Sequence, residues 1–445
     1  MTHARNWLGL AALASLPIVL VATGAHAATA AAAHLKSHQA PLALDGGATA
    51  WMLTSTALVL FMTLPGLALF YGGMVRRKNV ISTITQTVAV AAVVTILWFV
   101  CGYSLAFTTG TRALQPYVGG LDALFLDSLT PNAATGLAKT IPEALYVAYQ
   151  LTFAMITPAL ICGAFAERMK FSALLLFMAL WTVFVYAPIA HWVWGNGFLA
   201  GKGVIDFAGG AVVHVNAGVS GLVCALVLGP RLGFGRDNMA PHNLVLTMIG
   251  ASMLFVGWIG FNAGSALAAD QIASIALLNT MLAPMGGAVT WTLVEWIERK
   301  KPTLLGMLSG IVAGLVAITP AAGYVDPKGA MIIGLVSGPV CYAGAVWLKK
   351  ALKYDDSLDA FGVHGVGGIA GALMTGAFAS VAINPAGAGA SVLKQALGLG
   401  ATIAWSAIGA FVILMICKVT TGLRVTRDEE IEGLDWTLHG EALHD

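Results

Sequence analysis

Charged residues are scarce in this chain. Asp, Glu, Lys and Arg make up only 10% of the 445 residues, whereas hydrophobic residues make up 58%. A soluble domain carries about a quarter charged residues, so the composition excludes an ordinary soluble fold. It predicts an all-α polytopic membrane protein. The formal net charge of +2 and the lack of a basic run give no indication of nucleic-acid binding.

Signatures of covalent and cofactor chemistry are equally sparse. The five cysteines lie inside apolar runs and none has a CxxC partner, which argues against a metal or redox cluster. No GxxxxGK phosphate loop and no nucleophile–base pair occurs, so the sequence indicates neither an ATP-driven pump nor an enzyme. Glycine is abundant at 52 residues, and small residues let membrane helices approach closely.

The N-terminus has the layout of a secretory signal. Arg5 precedes an apolar run from Trp7 to Thr23, and Ala25-His26-Ala27 follows as an A-x-A cleavage site. We interpret residues 1–27 as a signal peptide and residues 28–47 as a leader on the periplasmic side. The alternative is a further membrane helix, but the run is short and ends in small residues.

Eleven apolar runs follow, each of about the 20 residues that a helix needs to cross the hydrocarbon core. They cover roughly residues 48–72, 80–107, 142–166, 171–193, 208–229, 243–264, 271–297, 303–320, 329–349, 360–380 and 395–418.

Positive charge predicts the orientation of these spans. With the mature N-terminus outside, sixteen of the 23 Lys and Arg residues fall in cytoplasmic segments and six in outer ones, as the positive-inside rule requires. The sequence therefore predicts a transmembrane domain over 48–420 in the inner membrane and a cytoplasmic tail over 421–445. This polar tail is either a disordered end or a docking site.

Two stretches share one spacing, an Asp and a His separated by seven residues. They are DFAGGAVVH, from Asp206 to His214, and DSLDAFGVH, from Asp356 to His364. The first opens a span that runs inward and the second a span that runs outward. This pattern predicts two five-helix repeats of inverted topology plus a final helix, with a substrate site between the repeats.

The two aspartates are placed to cap helix N-termini. Asp206, on the outer side, is also a candidate for attracting a cation. The two histidines have three interpretations: pore lining for a small polar species or a proton relay, axial ligands of a haem or metal, and ordinary core residues. A repeated intramembrane pair favours the first. No further metal ligand lies nearby in the sequence.

Seven ordered blocks identify a family. They are LPGLALFYGGMVRRKNV (64–80), GAFAERMKFSA (163–173), PIAHWVWGNG (188–197), DFAGGAVVHVNAG (206–218), GWIGFNAGSA (257–266), ITPAAGYV (318–325) and DAFGVHGVGG (359–368). Together they resemble the bacterial ammonium transporters of the Amt/Mep/Rh family over roughly residues 48 to 440. The resemblance implies an eleven-helix protomer in a homotrimer, with one pore in each protomer and no cofactor.

Family roles transfer to matching positions. The outer ammonium site of the family matches Trp194 and Ser265, with Asp206 near the recruitment position. The stacked rings that close the outer pore match Phe153 and Phe261.

The remaining roles lie deeper and on the cytoplasmic side. The pore lining matches the twin histidines His214 and His364, together with Trp258 and Thr319. The Arg231–Asn243 loop and the C-terminal tail resemble surfaces that meet a PII-type regulator.

The resemblance implies a route in which NH4+ binds outside, loses its proton near the phenylalanines and passes the histidines as NH3. The proton either returns outward or follows the substrate, and the sequence leaves both open. A membrane ammonium sensor and a Rhesus-like channel are the alternatives. The short tail favours transport over sensing, and the WGNG block fits the bacterial transporters better than the Rhesus type.

Overall fold

The computed structural model describes residues 44–130 and 134–443. The predicted signal peptide and most of the predicted leader lie outside the described residues. Within them all regular elements are helices, joined by turns and two isolated β-bridges. The predicted all-α class is confirmed.

Ten helices of the described chain are long and apolar enough to cross a membrane. They are α1 Gly46–Met74, α2 Arg77–Phe107, α3 Glu143–Phe165, α4 Phe171–Gly201, α5 Gly210–Leu228, α6 Leu244–Gly264, α7 Gln271–Arg299, α9 Pro327–Leu352, α10 Phe361–Phe378 and α11 Val392–Thr420. Each coincides with one of the predicted spans.

The remaining predicted span, 303–320, is the short helix α8, Leu304–Ile318. Its 15 residues rise about 22 Å, less than the roughly 30 Å of a hydrocarbon core. The helix ends where Thr319 precedes Pro320, which has no N–H to continue the hydrogen-bond ladder. The chain then turns through residues 319–325 before α9 begins. The described structure therefore supports ten spans by length, not eleven.

Glycines set the packing of α7 against α8. A Cβ placed on Gly310 of α8 would lie 2.6 Å from the carbonyl oxygen of Gly287 and 2.8 Å from the Cα of Ala288. No side chain fits at that separation, so the two backbones are in direct contact. Small residues permit this approach between membrane helices.

The tail is folded onto the bundle. It forms two short helices, α12 Arg427–Glu432 and α13 Leu434–His439. The N–H of Ser82 donates to Asp435 Oδ1 (2.7 Å), and the N–H of Leu434 donates to Asn79 Oδ1 (2.9 Å). Asp435 thus caps the α-helical part of α2, which begins at Val80. Residues 427–439 are therefore not a disordered end.

The direct contact between α7 and α8 predicts that one added methyl group lowers the stability of the protein. Gly310→Ala should lower the stability of the folded protein by about 1–3 kcal/mol, because the new Cβ forces α7 and α8 apart. Gly400→Ala on α11 is the matched control, since its added Cβ meets no described atom within 4 Å beyond the backbone of its own helix. Thermal unfolding in detergent measures both. Equal unfolding midpoints for the two variants would contradict the packing argument.

Candidate functional site

The start of α5 is organised by one carboxylate. Asp206 Oδ1 accepts hydrogen bonds from the N–H groups of Gly209 (2.9 Å) and Gly210 (2.6 Å). Its Oδ2 accepts from Ala211 (2.8 Å) and Val212 (3.1 Å). Four N–H groups without helical partners are thereby satisfied. Burial raises the pKa of this carboxyl, and the four N–H donors oppose the rise.

The start of α10 repeats this arrangement. Asp356 Oδ1 accepts from the N–H of Ala360 (3.0 Å) and its Oδ2 accepts from Phe361 (2.8 Å). Burial raises the pKa of Asp356 to about 6, and the negative charge of Asp359 adds to the rise, whereas Lys349 opposes it. Both aspartates therefore cap helices, as their sequence position predicts.

Each cap leads into a π-helical turn that carries a histidine. His214 lies in the turn Gly210–Val215 and His364 in the turn Phe361–Gly365. A π-turn widens the helix locally and is frequent at functional sites. The two rings meet inside the bundle, with their Nδ1 atoms 3.3 Å apart and their centroids 5.3 Å apart.

This contact restricts the protonation of the pair. One Nδ1 must carry the proton and the other must offer its lone pair. Two adjacent imidazolium ions would repel each other and could not share this bond. His214 Nε2 is buried and has no hydrogen-bond partner among the described residues, so it can bond a small polar species.

Aromatic rings form a file from Trp194 to His364. The Trp194 and Phe153 rings meet edge to face at 5.7 Å, and Phe153 stacks on Phe261 at 4.3 Å. Phe261 lies 6.0 Å from the ring of His214, which contacts His364. The structure therefore brings together five of the predicted site residues, contributed by α3, α4, α5, α6 and α10.

Trp258 and Thr319 flank this file. The Trp258 ring stacks on His214 at 5.3 Å, and its Nε1 donates to Thr319 Oγ1 (2.8 Å). Thr319 in turn donates its own proton to the carbonyl of Leu315 (2.7 Å). These bonds fix the indole against the face of His214.

The Trp194 end of the file contains Tyr149, a residue that the sequence did not single out. Ser265 Oγ donates to the Phe261 carbonyl (2.8 Å) and lies 3.3 Å from the hydroxyl of Tyr149. Tyr149 precedes Phe153 by one helical turn, and their rings are 5.0 Å apart. That i, i+4 spacing on α3 is the signal that could have identified it.

Asp206 is linked to Trp194 through its backbone. The indole Nε1 of Trp194 donates to the Asp206 carbonyl oxygen (2.9 Å), while the carboxylate caps α5. The side chain therefore acts as the cap, and the carbonyl orients the indole.

Two cavities adjoin His364. The first has a volume of about 10 Å³ and is lined by His214, His364, Trp258 and Phe261, among others. The second, of about 50 Å³, extends from His364 to Asp359. A volume of about 10–15 Å³ holds one water-sized molecule. The first cavity therefore accommodates one very small molecule at a time, and the second has room for more than one.

A buried ionic cluster supports the α10 end of this site. Arg231 bonds Asp355 (2.8 Å) and Glu167 (3.3 Å), and Arg76 bonds Glu167 (2.7 Å). Burial alone would raise the pKa of both carboxyls, but Arg231 lowers the pKa of each below its usual value. The cluster holds the segment that contains Asp356. Arg231 itself is buried and so is not an exposed contact for a partner.

The chain is similar to known proteins in sequence and in fold. Residues 50–443 match the model described as the Ammonium Transporter Family. An ammonium transporter of Bacillus subtilis (strain 168) is 48% identical over 407 residues, which cover 89% of this chain and 98% of that protein.

Solved structures are similar to this chain in fold. The crystal structure of Saccharomyces cerevisiae Mep2 has a TM-score of 0.80 at 35% identity and covers 87% of this chain and 89% of that one. A Sensor Amt Protein has a TM-score of 0.81 at 29% identity, covering 89% and 98%.

The four-fold cap of α5 predicts a large effect of removing one charge. In Asp206→Asn a single oxygen remains to accept, so two of the four hydrogen bonds are lost. At about 1.5–3 kcal/mol for each bond to a charged group, stability should fall by about 3 kcal/mol or more. Asp45→Asn is the control, because Asp45 caps α1 at an exposed position with one bond and Asn is an equally good cap. Thermal unfolding should separate the two variants, and a loss confined to Asp45→Asn would contradict this account.

Proposed function

Because the chain belongs to the ammonium transporter family, as its motifs predict, we propose that it carries ammonium across the inner membrane through a pore within each chain. NH4+ binds at an outer aromatic site, loses its proton, and moves as NH3 past the twin histidines into the cytoplasm. The observation that carries the proposal is the file of rings from Trp194 to His364, which ends in the Nδ1–Nδ1 contact.

Recruitment rests on Trp194 and Ser265. An indole face attracts a cation by about 0.5–2 kcal/mol, depending on desolvation. Ser265 has committed its proton to the Phe261 carbonyl, so its lone pairs are available to accept an N–H of ammonium. Potassium has no N–H to donate, and this difference favours ammonium at the site.

The gate excludes the charged form. Phe153 and Phe261 are buried and stacked, and neither ring can replace the water around an ion. Moving an unpaired cation through such a region is very unfavourable, whereas a neutral molecule pays only the cost of its hydrogen bonds. NH3 is therefore the species that passes between the rings.

The histidine pair then receives NH3. His214 lines the cavity beside the gate, and its Nε2 has no hydrogen-bond partner in the described part of the chain. The second cavity continues beyond His364. Because the Nδ1 atoms bond each other, one Nε2 of the pair carries a proton and the other a lone pair, which offers one donor and one acceptor along the path. A proton released at the gate either returns outward, which gives passive NH3 conduction, or follows the histidines, which gives net NH4+ uptake.

The wider architecture completes the proposal. The D-x7-H units at α5 and α10 share a carboxylate cap and a π-turn histidine, which supports two inverted five-helix repeats followed by α11. In this arrangement α8 and the turn after it together form an eleventh crossing. Residues 1–27 are then a cleaved signal, 28–47 a periplasmic leader, 48–420 the transmembrane domain and 421–445 a cytoplasmic tail.

Assembly and regulation follow from the family. We expect a homotrimer, and the ring file lies within one chain, so each protomer has its own pore. A PII-type regulator would meet the exposed part of the Arg231–Asn243 loop, at residues 235–238, together with the tail. Sensing is the second candidate function, favoured by the likeness to a Sensor Amt Protein.

Current in proteoliposomes tests the proposal. An ammonium jump should give a transient current that potassium and sodium jumps do not, if charge accompanies the substrate. Trp194→Leu should raise the apparent KM for ammonium about 5- to 30-fold, the equivalent of 1–2 kcal/mol. Trp296→Leu, at an exposed ring on α7, is the control and should leave KM unchanged.

The outcomes separate the mechanisms. Loss of current in His364→Ala with retained NH3 flux would place the proton route on the histidines. A rise of internal pH without current would indicate passive NH3 conduction. If ammonium gave neither signal, transport would be refuted and sensing would become the better explanation.

A further inference from the structure

His191 has two ring nitrogens and two carbonyl neighbours. Its Nδ1 lies 2.9 Å from the carbonyl oxygen of Ala106, and its Nε2 lies 2.7 Å from the carbonyl oxygen of Gln115. The side chain is fully buried, at 0% exposure. The sequence pattern assigned this residue no role beyond its place in the block PIAHWVWGNG (188–197).

The chemistry of these contacts selects one charge state. A carbonyl oxygen only accepts hydrogen bonds, and a neutral imidazole has one N–H and one lone pair. Either neutral tautomer would therefore direct a lone pair at a carbonyl oxygen within hydrogen-bond distance. Only the imidazolium donates to both.

Two helix ends favour the same charge. His191 lies in the last turn of the helical segment Ala187–Trp194, and Ala106 lies in the last turn of Tyr103–Phe107. Both segments present the negative ends of their dipoles, where a cation is stabilised. His191 belongs to none of the ion pairs formed within the described chain, so the carbonyl groups supply this stabilisation.

The bonds of His191 belong to a larger clasp, defined here as the carbonyls of residues 115–117 and their three donors. Gln115 accepts from His191, Pro116 accepts from the N–H of Phe198 (2.9 Å), and Tyr117 accepts from Trp192 Nε1 (2.7 Å). The donors lie on both sides of Trp194. The clasp therefore ties the outer segment 108–120 to the helix end that carries the outer aromatic site.

We propose that His191 is an imidazolium that acts as a positioning residue for the outer site. Its charge closes the clasp and holds Trp194 in place. Loss of the proton as the outer pH rises replaces one hydrogen bond with a repulsive contact. The 108–120 segment then loosens and ammonium recruitment weakens. The transport part of this inference rests on the proposed function, whereas the loosening of the segment does not.

Other titratable groups lie close enough to need control. Those on the elements packed against this end of α4 are Tyr103 with its partner Glu143, Tyr186, Lys202, Asp206 and His214, and the outer segment adds Arg112 and Tyr117. Tyrosine, lysine and arginine ordinarily titrate well above neutral pH, and exposed carboxyls well below it. Burial raises the pKa of Asp206, so this carboxyl and His214 are the two groups that need control, and neither belongs to the clasp. The decisive readout is therefore local to the clasp.

Amide hydrogen exchange of segment 108–120 in the full-length protein, from about pH 5 to about pH 9, provides that readout. In the wild type, exchange corrected for its intrinsic pH dependence should accelerate several-fold as the pH rises. His191→Gln retains an N–H donor but cannot titrate, so this acceleration should disappear. Trp192→Phe, the matched control, removes one clasp bond without removing the imidazole. It should exchange faster at every pH and keep the wild-type pH dependence.

Nitrogen NMR of 15N-histidine-labelled wild type checks the charge state without a variant. Both ring nitrogens of His191 should be protonated at the acidic end. A neutral ring throughout the range, or an unchanged pH dependence in His191→Gln, would overturn the proposal.

Transport provides the second arm. The apparent KM for ammonium should rise several-fold with outer pH in the wild type relative to His191→Gln, with kcat little changed. If the hydrogen exchange of segment 108–120 depended on pH in a protein with no ammonium flux, the proposed function would be refuted and the inference about the clasp would stand. A flux whose KM shows the same pH dependence in His191→Gln would refute the coupling of His191 to the outer site.

Discussion

Backbone hydrogen bonding is the constraint on which the site depends. A chain inside a membrane must satisfy its N–H groups internally, so a helix can begin within the bundle only where a partner replaces the missing turn. At α5 that partner is Asp206, which accepts four N–H bonds. The cap fixes where α5 begins, and the π-turn after it sets the height at which His214 meets His364. The aromatic file, the cavities and the proton chemistry all follow from that height.

Much of this could be predicted from the sequence, because the signals were local. The D-x7-H spacing contains both cap and histidine within about two helical turns, and a carboxylate at a helix start is favoured as a cap. The apolar runs predict helices because a single run of about 20 residues can satisfy its backbone hydrogen bonds inside the hydrocarbon core only as a helix. The predicted span 303–320 extends two residues beyond α8, because the apolar composition continues across Ile318 whereas Pro320 has no N–H to continue the helix. Tyr149 could not be singled out from the sequence, because a tyrosine in an apolar run resembles any core aromatic. Only the fold places Ser265, from a distant helix, beside its hydroxyl.

The remaining features depend on contacts between distant segments. The Nδ1–Nδ1 geometry joins residues 150 positions apart, and nothing local fixes which nitrogens meet. The clasp joins three carbonyls of an irregular segment to one helix end, and carbonyl positions are not encoded by side-chain pattern. The chain thus uses histidine in two ways. Between α5 and α10 two rings share one bond, whereas beside the clasp one buried ring lies between two carbonyl oxygens.

The hydrogen bond between the tail and α2 joins two residues that are translated at different times. Asp435 caps the helix that begins at Val80 by accepting the N–H of Ser82. Ser82 precedes Asp435 by 353 residues in the sequence. At about 5–20 residues per second, α2 would wait roughly 20–70 s after its own translation for the residue that completes its first turn. The bundle therefore reaches its final hydrogen bonding only when the last part of the chain has left the ribosome. A product that ended before Asp435 would carry an unfinished helix start at the surface where the tail belongs.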